Sequence, residues 1–218
     1  EKVWAPASVR ALADRDAMQH LIAEEGGNFK LAAWDWRYYA EKLRKRRCDI
    51  DEAEVKPYMP IDSVIEASFH AASKLFGLTF TPVDVPVWHP DVRSWEVRGA
   101  DGRHIGIFLG DYFARPSKQS GGWMGTLRDQ EKLRGNVRPI ILNVMNFNKG
   151  DPTLLSFEDA RTLFHEMGHA LHGLLSDVTF PSISCTHVLT DWVELPSQLY
   201  EHWFEQPEVL RKFARHYR

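Results

Sequence analysis

The sequence is poor in cysteine, with only Cys48 and Cys185 at distant positions. Two cysteines make no disulfide framework, and neither belongs to the Cys-x-x-Cys pair of a zinc-binding knuckle. Free thiols are typical of reducing compartments, so the cysteine content favours a cytoplasmic location.

The sequence also lacks a surplus of positive charge and a long apolar run. Its 27 lysines and arginines face 30 aspartates and glutamates, for a net charge of -3. Electrostatic binders of nucleic acid carry a basic excess, so no nucleic-acid partner is predicted. The best candidate for a membrane span, residues 64–80, is interrupted by Glu66, His70 and Lys74, so no membrane partner is predicted either. We also expect no secretory signal.

What is present is an ordinary globular composition, 44% hydrophobic and 26% charged. A length of 218 residues suggests one domain or at most two. The first residue is Glu1 rather than Met, so we expect the sequence to be processed or cut from something longer.

Helical periodicity dominates the first third. Apolar residues recur at helical spacing between Val9 and Ile22, before Gly26-Gly27. Second and third helices are predicted over Leu31–Arg47, with Trp34, Tyr38 and Leu43 on one face, and over Ile61–Phe76. The basic residues 42–47 are interpreted as a solvated last helical turn rather than a nucleic-acid patch.

Alternating apolar and polar residues replace this pattern after Val83. Trp95–Arg98 and His104–Leu109 flank a Gly-Ala-Asp-Gly turn and predict a hairpin, and Arg138–Phe147 predicts a further strand. The polar, glycine-containing residues 115–135 are interpreted as a long loop. The predicted fold is therefore mainly α with a small antiparallel β-sheet.

The chemistry is concentrated in a strongly apolar helix that begins with a capping box at Ser156-Phe157-Glu158-Asp159. It contains the H-E-x-x-H motif formed by His165, Glu166 and His169. Histidines at i and i+4 share one helix face and can bind one zinc ion. Glu166 is displaced around the helix, where it can reach a zinc-bound water as the general base.

A third ligand is expected on a second helix, because a catalytic zinc has three protein ligands and one open position. Glu194 is the best candidate, if an antiparallel helix pair joined by residues 176–189 brings it beside the histidines. His172 also follows on the motif's face, but three successive helix turns diverge too far to meet one ion, so a packing role is favoured. His187 is interpreted as a loop histidine, with a substrate contact left open. Asp191, and more weakly Glu201, are candidates to hydrogen-bond a zinc histidine.

The two motifs His165–His172 and Asp191–Gln198 resemble the thimet-oligopeptidase family of zinc peptidases. The spacing of 25 residues between His169 and Glu194 matches that family. The resemblance extends over most of the chain through residues 35–40, 112–115 and 121–123. Residues 199–203 and 213–217 look closest to bacterial peptidyl-dipeptidases, with oligopeptidase A close behind.

The resemblance implies a zincin-like metallopeptidase catalytic domain with one Zn²⁺ per chain and short peptides as substrates. Family members are several times longer, so the chain is expected to be an internal fragment whose further partner is the remainder of the parent polypeptide. Its expected parts are a helical part (1–80), a small sheet and long loop (83–147) and the zinc-binding helices (156–206). The oxyanion-stabilising residues are expected outside these 218 residues.

Two functions remain open at this point. The first is hydrolysis of a peptide bond, with an exposed strand within Arg138–Phe147 holding the substrate backbone by strand addition. The alternative is a zinc-stabilised structural or interaction module without turnover. A structural zinc normally has four protein ligands, often cysteine, so a fourth ligand would favour the alternative.

Overall fold

The computed structural model describes residues 2–48 and 51–218. The chain divides into a first unit, residues 1–54, and a second unit, residues 55–218. Among the described residues, no helix is long and apolar enough to cross a membrane.

The first unit contains the helices α1 (Trp4–Glu24) and α2 (Trp36–Cys48), followed at its end by the short α3 (Glu52–Val55). Met18, Leu21 and Ile22 of α1 pack with Tyr39 of α2 in a small core. The helix face predicted for Trp34, Tyr38 and Leu43 is wrong for Trp34, because Trp34 lies before the start of α2. The side chains of Trp34 and Tyr38 are 84% and 59% exposed.

Helix α2 begins five residues later than the predicted Leu31. The carboxylate of Asp35 accepts a hydrogen bond from the backbone N–H of Ala32 at 3.0 Å, and the Asp35 N–H donates to the Ala32 carbonyl. These bonds form a turn, a conformation that competes locally with the helix.

The basic end of α2 is paired with carboxylates of the same unit. Lys42 lies 2.7 Å from Glu25 and Arg47 lies 2.9 Å from Asp14, while Arg46 contacts Glu24. These ion pairs join α2 to α1, so the basic residues stabilise the packing of these two helices.

The second unit contains most of the regular structure. Its helices are α4 (Ile61–Phe76), α5 (Phe157–Leu174), α6 (Thr190–Phe204) and α7 (Pro207–Phe213), with short 3₁₀ turns at Lys56–Tyr58 and Pro181–Ile183. Its strands are β1 (Thr79–Pro82), β2 (Arg93–Arg98), β3 (His104–Phe113), β4 (Trp123–Arg128) and β5 (Ile140–Phe147). Helix α4 has the predicted bounds and ends at Gly77.

The strands form one sheet in the order β1-β2-β3-β5-β4. The predicted hairpin between β2 and β3 is confirmed, with Trp95 opposite Phe108. The expectation of an antiparallel sheet holds for most of it but is wrong for β3 and β5, which pair in parallel with Phe108 opposite Ile141. The chain leaves β3, runs to the outer strand β4 and returns as β5 between them, a long-range pairing that local sequence patterns do not reveal.

Two further expectations change with this topology. Residues 115–135 are not all loop, because they contain β4, which pairs with β5. The prediction of an exposed strand within Arg138–Phe147 is also wrong, since β5 lies between two neighbours. The exposed edge on this side of the sheet belongs to β4.

Helices α4 and α5 cover the same face of the sheet. Phe69 of α4 contacts the rings of Trp95 and Phe108, which lie in one row with Ile141. A Cβ at Gly173 of α5 would lie 2.7 Å from the Ile141 side chain. The hydroxyl of Tyr200 on α6 donates to the carbonyl of Ser68 on α4 at 2.6 Å, which links α6 to the same core.

Candidate metal centre

Helix α5 carries the H-E-x-x-H motif into the interior of the second unit. The predicted capping box is confirmed: Ser156 Oγ accepts from the Asp159 N–H at 3.0 Å, and the Asp159 carboxylate accepts from the Ser156 N–H at 3.1 Å. The box satisfies backbone donors at the start of the helix. Further along, Glu166 and His169 are both buried.

Helix α6 runs antiparallel to α5 and approaches it most closely at Gly168. A Cβ at Gly168 would lie 2.6 Å from Ser197 Cα and 2.8 Å from the carbonyl oxygen of Pro196. Any side chain at this position would therefore push the two backbones apart. The glycine between the two histidines sets the distance at which α6 presents its carboxylates to them.

Three donor atoms converge at this crossing. Oε2 of Glu194 lies 3.1 Å from Nε2 of His165 and 3.2 Å from Nε2 of His169. Ligand atoms tetrahedrally placed about 2.0–2.2 Å from a zinc ion are roughly 3.3–3.6 Å apart. The observed distances differ from this geometry by only a few tenths of an ångström.

The donor set fits a zinc ion with an open coordination position. It offers two imidazole nitrogens and one carboxylate oxygen, a combination that suits zinc. Among the described residues, no fourth histidine, cysteine or acidic side chain joins these three. A structural site is normally closed by four protein ligands, so this set is typical of a catalytic one.

Glu201 orients the first histidine from about two turns of α6 beyond Glu194. Its Oε1 lies 2.6 Å from Nδ1 of His165, and its Oε2 accepts from Arg161 Nε at 2.7 Å. A carboxylate at Nδ1 favours the tautomer that carries its proton there, which leaves Nε2 free to bind a metal. Of the two second-layer candidates from the sequence, Glu201 rather than Asp191 makes this contact.

Ser197 holds the carboxylate of Glu194. Its hydroxyl lies 2.8 Å from Glu194 Oε2 and 2.9 Å from the Glu194 carbonyl. Burial would raise the pKa of Glu194, but the Ser197 hydrogen bond and the two nearby histidines lower it below its ordinary value. The sequence gives one signal for this contact, the i,i+3 spacing on one helix face.

Glu166 lies beside the donors with no residue of opposite charge bonded to it. Burial, with a contribution from the charge of Glu194, raises the pKa of Glu166 to about 7, while His165 and the backbone N–H of Met124 on β4 act in the opposite direction. Its Oε2 has no hydrogen-bond partner among the described residues. A carboxylate with a pKa near neutrality can accept and return a proton.

The donors and Glu166 line an open cavity of about 360 Å³. One wall is helical, and the opposite wall is the start of the edge strand, with Gly122, Trp123 and Met124. Val193 and Thr186 complete the lining. The cavity therefore places an edge strand, the Glu166 carboxylate and the donor atoms of His165, His169 and Glu194 around one space.

Two other histidines lie away from this triad. His172 lines a separate, mostly apolar groove of about 480 Å³ with Leu75, Leu171 and Trp203. Burial lowers the pKa of His172 below its ordinary value, which favours the neutral form of the imidazole. His187 is exposed, and its Nδ1 lies 3.1 Å from the Pro181 carbonyl.

An H-E-x-x-H helix, an acidic side chain on the neighbouring antiparallel helix and an adjoining edge strand are together typical of a peptidase domain. The family model of Peptidase family M3 matches residues 4–218, so the chain belongs to that family. The dipeptidyl carboxypeptidase of Salmonella typhimurium is 44% identical over 97% of the chain, and that of Escherichia coli is 43% identical over 95%. Oligopeptidase A of E. coli is 36% identical over 88% of the chain. The identities confirm the resemblance to both kinds of peptidase. The chain spans 32%, 31% and 29% of these relatives' lengths.

Proposed function

We propose that this chain is the zinc-binding part of a zincin-like metallopeptidase that hydrolyses peptide bonds in short oligopeptides. The observation that carries the proposal is the convergence of His165, His169 and Glu194 beside the buried carboxylate of Glu166. Membership of Peptidase family M3 supports the same reaction. The open fourth position argues against the alternative of a purely structural zinc module.

His165, His169 and Glu194 would hold the zinc, and Glu166 would act as general base. A zinc ion bound there supplies Lewis acidity, which polarises a carbonyl and lowers the pKa of a water to near ~7. Glu166 takes a proton from the attacking water and returns it to the leaving amine, a role that suits its raised pKa. Glu201 and Ser197 keep His165 and Glu194 in their metal-binding orientations.

The edge strand β4 is the proposed place for the substrate backbone. It pairs with β5 on one side only, and its first residues line the cavity. An extended peptide that adds to this edge gains main-chain hydrogen bonds with little dependence on its sequence. It would also lie close to Glu166, because Met124 and Glu166 line the same cavity.

Release of dipeptides is the finer activity that we propose. Relatives named dipeptidyl carboxypeptidase share 43–44% identity with the chain, whereas those named oligopeptidase A from bacteria share 35–36%. The parent enzyme can be given a peptide with a blocked terminus. Analysis of the products that it releases distinguishes dipeptide release from internal cleavage. The free thiols of Cys48 and Cys185 support a cytoplasmic location for the parent polypeptide.

Zinc titration of the chain itself tests the ligand set. We expect one zinc per chain, with affinity lowered at least about 100-fold by Glu194→Ala and less than about threefold by His172→Ala. The His172 variant is the matched control, since that imidazole is close in sequence but outside the triad. Loss of zinc in His172→Ala with retention in Glu194→Ala would show that the ligand set is wrong.

Activity of the complete parent enzyme tests the role of Glu166. Glu166→Gln keeps the shape and removes the base, so zinc content should stay at one per chain while peptidase activity falls at least about 100-fold. Activity within tenfold of the unmodified enzyme, at full zinc occupancy, contradicts the general-base assignment.

A further inference from the structure

A nearly buried lysine joins the ends of two strands to the segment before β4. The Lys118 side chain is 5% exposed, and its ammonium contacts the carbonyls of Phe113 at 2.8 Å and Asp111 at 3.0 Å. It also donates to the carbonyl of Met145 and lies 3.2 Å from Asp111 Oδ1. Three N–H donors thus serve carbonyls on β3 and β5, where their ladder shifts register between Asp111 and Phe113.

The negative charge of the Asp111 carboxylate balances this buried positive charge. The carboxylate also accepts hydrogen bonds from neighbouring donors. It accepts two bonds from Arg115, at 2.7 and 2.6 Å, and one from Trp88 Nε1 at 3.0 Å. Removal of the ammonium would leave buried carbonyl oxygens without a donor, which is more unfavourable than the loss of one exposed bond. Lys118 is therefore held in one position by its surroundings.

Asn146 of β5 fixes the next residues of the same segment. Its amide nitrogen donates to the carbonyl of Gln119 at 2.6 Å and to that of Gly121 at 2.7 Å. Both amide protons are thus used on the three residues that follow Lys118.

The anchored segment leads directly into the cavity wall. Gly122 follows the second Asn146 bond, and a Cβ there would lie 3.1 Å from Met145 Sδ and 3.4 Å from Thr162 of α5. The chain therefore passes closely between β5 and α5 before Trp123 and Met124 line the cavity. Within the described ranges, no hydrogen bond connects Lys118 or Asn146 with the metal-binding triad.

We infer that Lys118 and Asn146 are positioning residues, which hold the edge strand β4 at the position beside Glu166 that peptide binding requires. The inference rests on the proposed function, since it assigns the substrate backbone to β4. It separates two properties of the site: the triad binds the metal, and the Lys118–Asn146 anchor aligns the peptide.

Amide hydrogen exchange of the zinc-loaded chain tests the anchor without any activity. Lys118→Met keeps the length of the side chain and removes its donors, so exchange of residues 123–128 should accelerate at least about tenfold relative to α5. Lys149→Met is the matched control, because Lys149 lies just after β5, pairs with Asp91 at 2.6 Å and has a side chain that is 62% exposed. Its exchange in β4 should stay within about twofold of the unmodified chain.

Steady-state kinetics of the parent enzyme test the consequence for peptides. Asn146→Asp retains the shape and loses both donors, so KM for a peptide should rise at least about tenfold, with kcat and zinc affinity changed less than about threefold. Lys149→Met should leave all three values near those of the unmodified enzyme. Asn146→Asp is the milder variant and covers the case in which Lys118→Met fails to fold.

Each result bears on a different claim. Accelerated exchange confined to β4, with a raised KM, supports the inference. Unchanged exchange in β4, or a loss of zinc affinity equal to the rise in KM, overturns it. An active Glu166→Gln enzyme would contradict the proposed function instead, and leaves the exchange result to decide on the anchor.

Discussion

Nδ1 of His165 lies 2.6 Å from Oε1 of Glu201, seven residues beyond Glu194 on the same helix. One helix thus supplies both a carboxylate for the Nε2 side of this imidazole and another for its Nδ1 side. The ring is held between two carboxylates, so its orientation is set before a metal arrives.

This arrangement predicts that Glu201→Gln weakens metal binding without removal of a ligand. The neutral amide stabilises the metal-binding tautomer of His165 less well, and such second-layer changes typically reduce metal affinity about 10- to 100-fold. Competition between the chain and a chromogenic chelator measures the zinc affinity.

The control for this prediction is Glu205→Gln, at the C-cap of the same helix. Glu205 lies 3.8 Å from Arg161 and carries the same charge, but the structure gives it no bond to a histidine. Equal losses of affinity in the two variants would show that overall charge, rather than the His165 contact, is responsible.

The raised pKa of Glu166 predicts a pH dependence of stability in the metal-free chain. The pKa rises from 4.5 to about 7 on folding, mainly because the carboxyl is buried, so the folded state binds this proton more tightly than the unfolded state. The stabilisation of the folded state by this proton is fully present below pH 4.5. As the pH rises through about 7 it is lost, and the free energy of unfolding falls by up to about 3 kcal/mol. Glu166→Gln should lose less stability over this range.

Urea unfolding in the presence of a chelator, between about pH 4 and about pH 8, measures this difference, because this range spans both pKa values. Glu66→Gln, at an exposed position of α4, is the matched control, and its profile should follow that of the unmodified chain. A Glu166→Gln profile parallel to that of the unmodified chain would contradict the prediction.

The close helix crossing predicts that Gly168→Ala destabilises the fold. Alanine favours a helix by about 1 kcal/mol over glycine, but its Cβ would lie 2.6 Å from Ser197 Cα. Overpacking against backbone should prevail and lower the unfolding free energy by about 1–3 kcal/mol. Zinc affinity should fall as well, because α6 moves Glu194 away from the histidines.

Gly125→Ala is the control for this substitution. Its Cβ would meet only the Leu142 side chain, at 3.5 Å or more, which is ordinary van der Waals contact. Calorimetric unfolding of both variants separates the specific crossing from the general effect of a methyl group. A Gly168→Ala chain as stable as the unmodified one would contradict the close approach of α5 and α6.

Local sequence was sufficient for the helices that carry the chemistry. The bounds of α4, the capping box of α5 and the hairpin of β2 and β3 follow from bonds between residues near in sequence. The pairing of His165 and His169 on one face is equally local, because it follows from the pitch of the helix. Glu194 was reached through its spacing and the family resemblance, and the structure places it at both histidines.

Tertiary structure decided the features that depend on distant segments. The parallel pairing of β3 with β5, the edge position of β4 and the choice of Glu201 over Asp191 at His165 all depend on how separate elements pack. The same holds for Lys118, which reads as an ordinary surface lysine within a polar segment. The neighbours of a residue in sequence determine its backbone preference. The burial of its side chain, by contrast, depends on segments from distant parts of the sequence that pack against it.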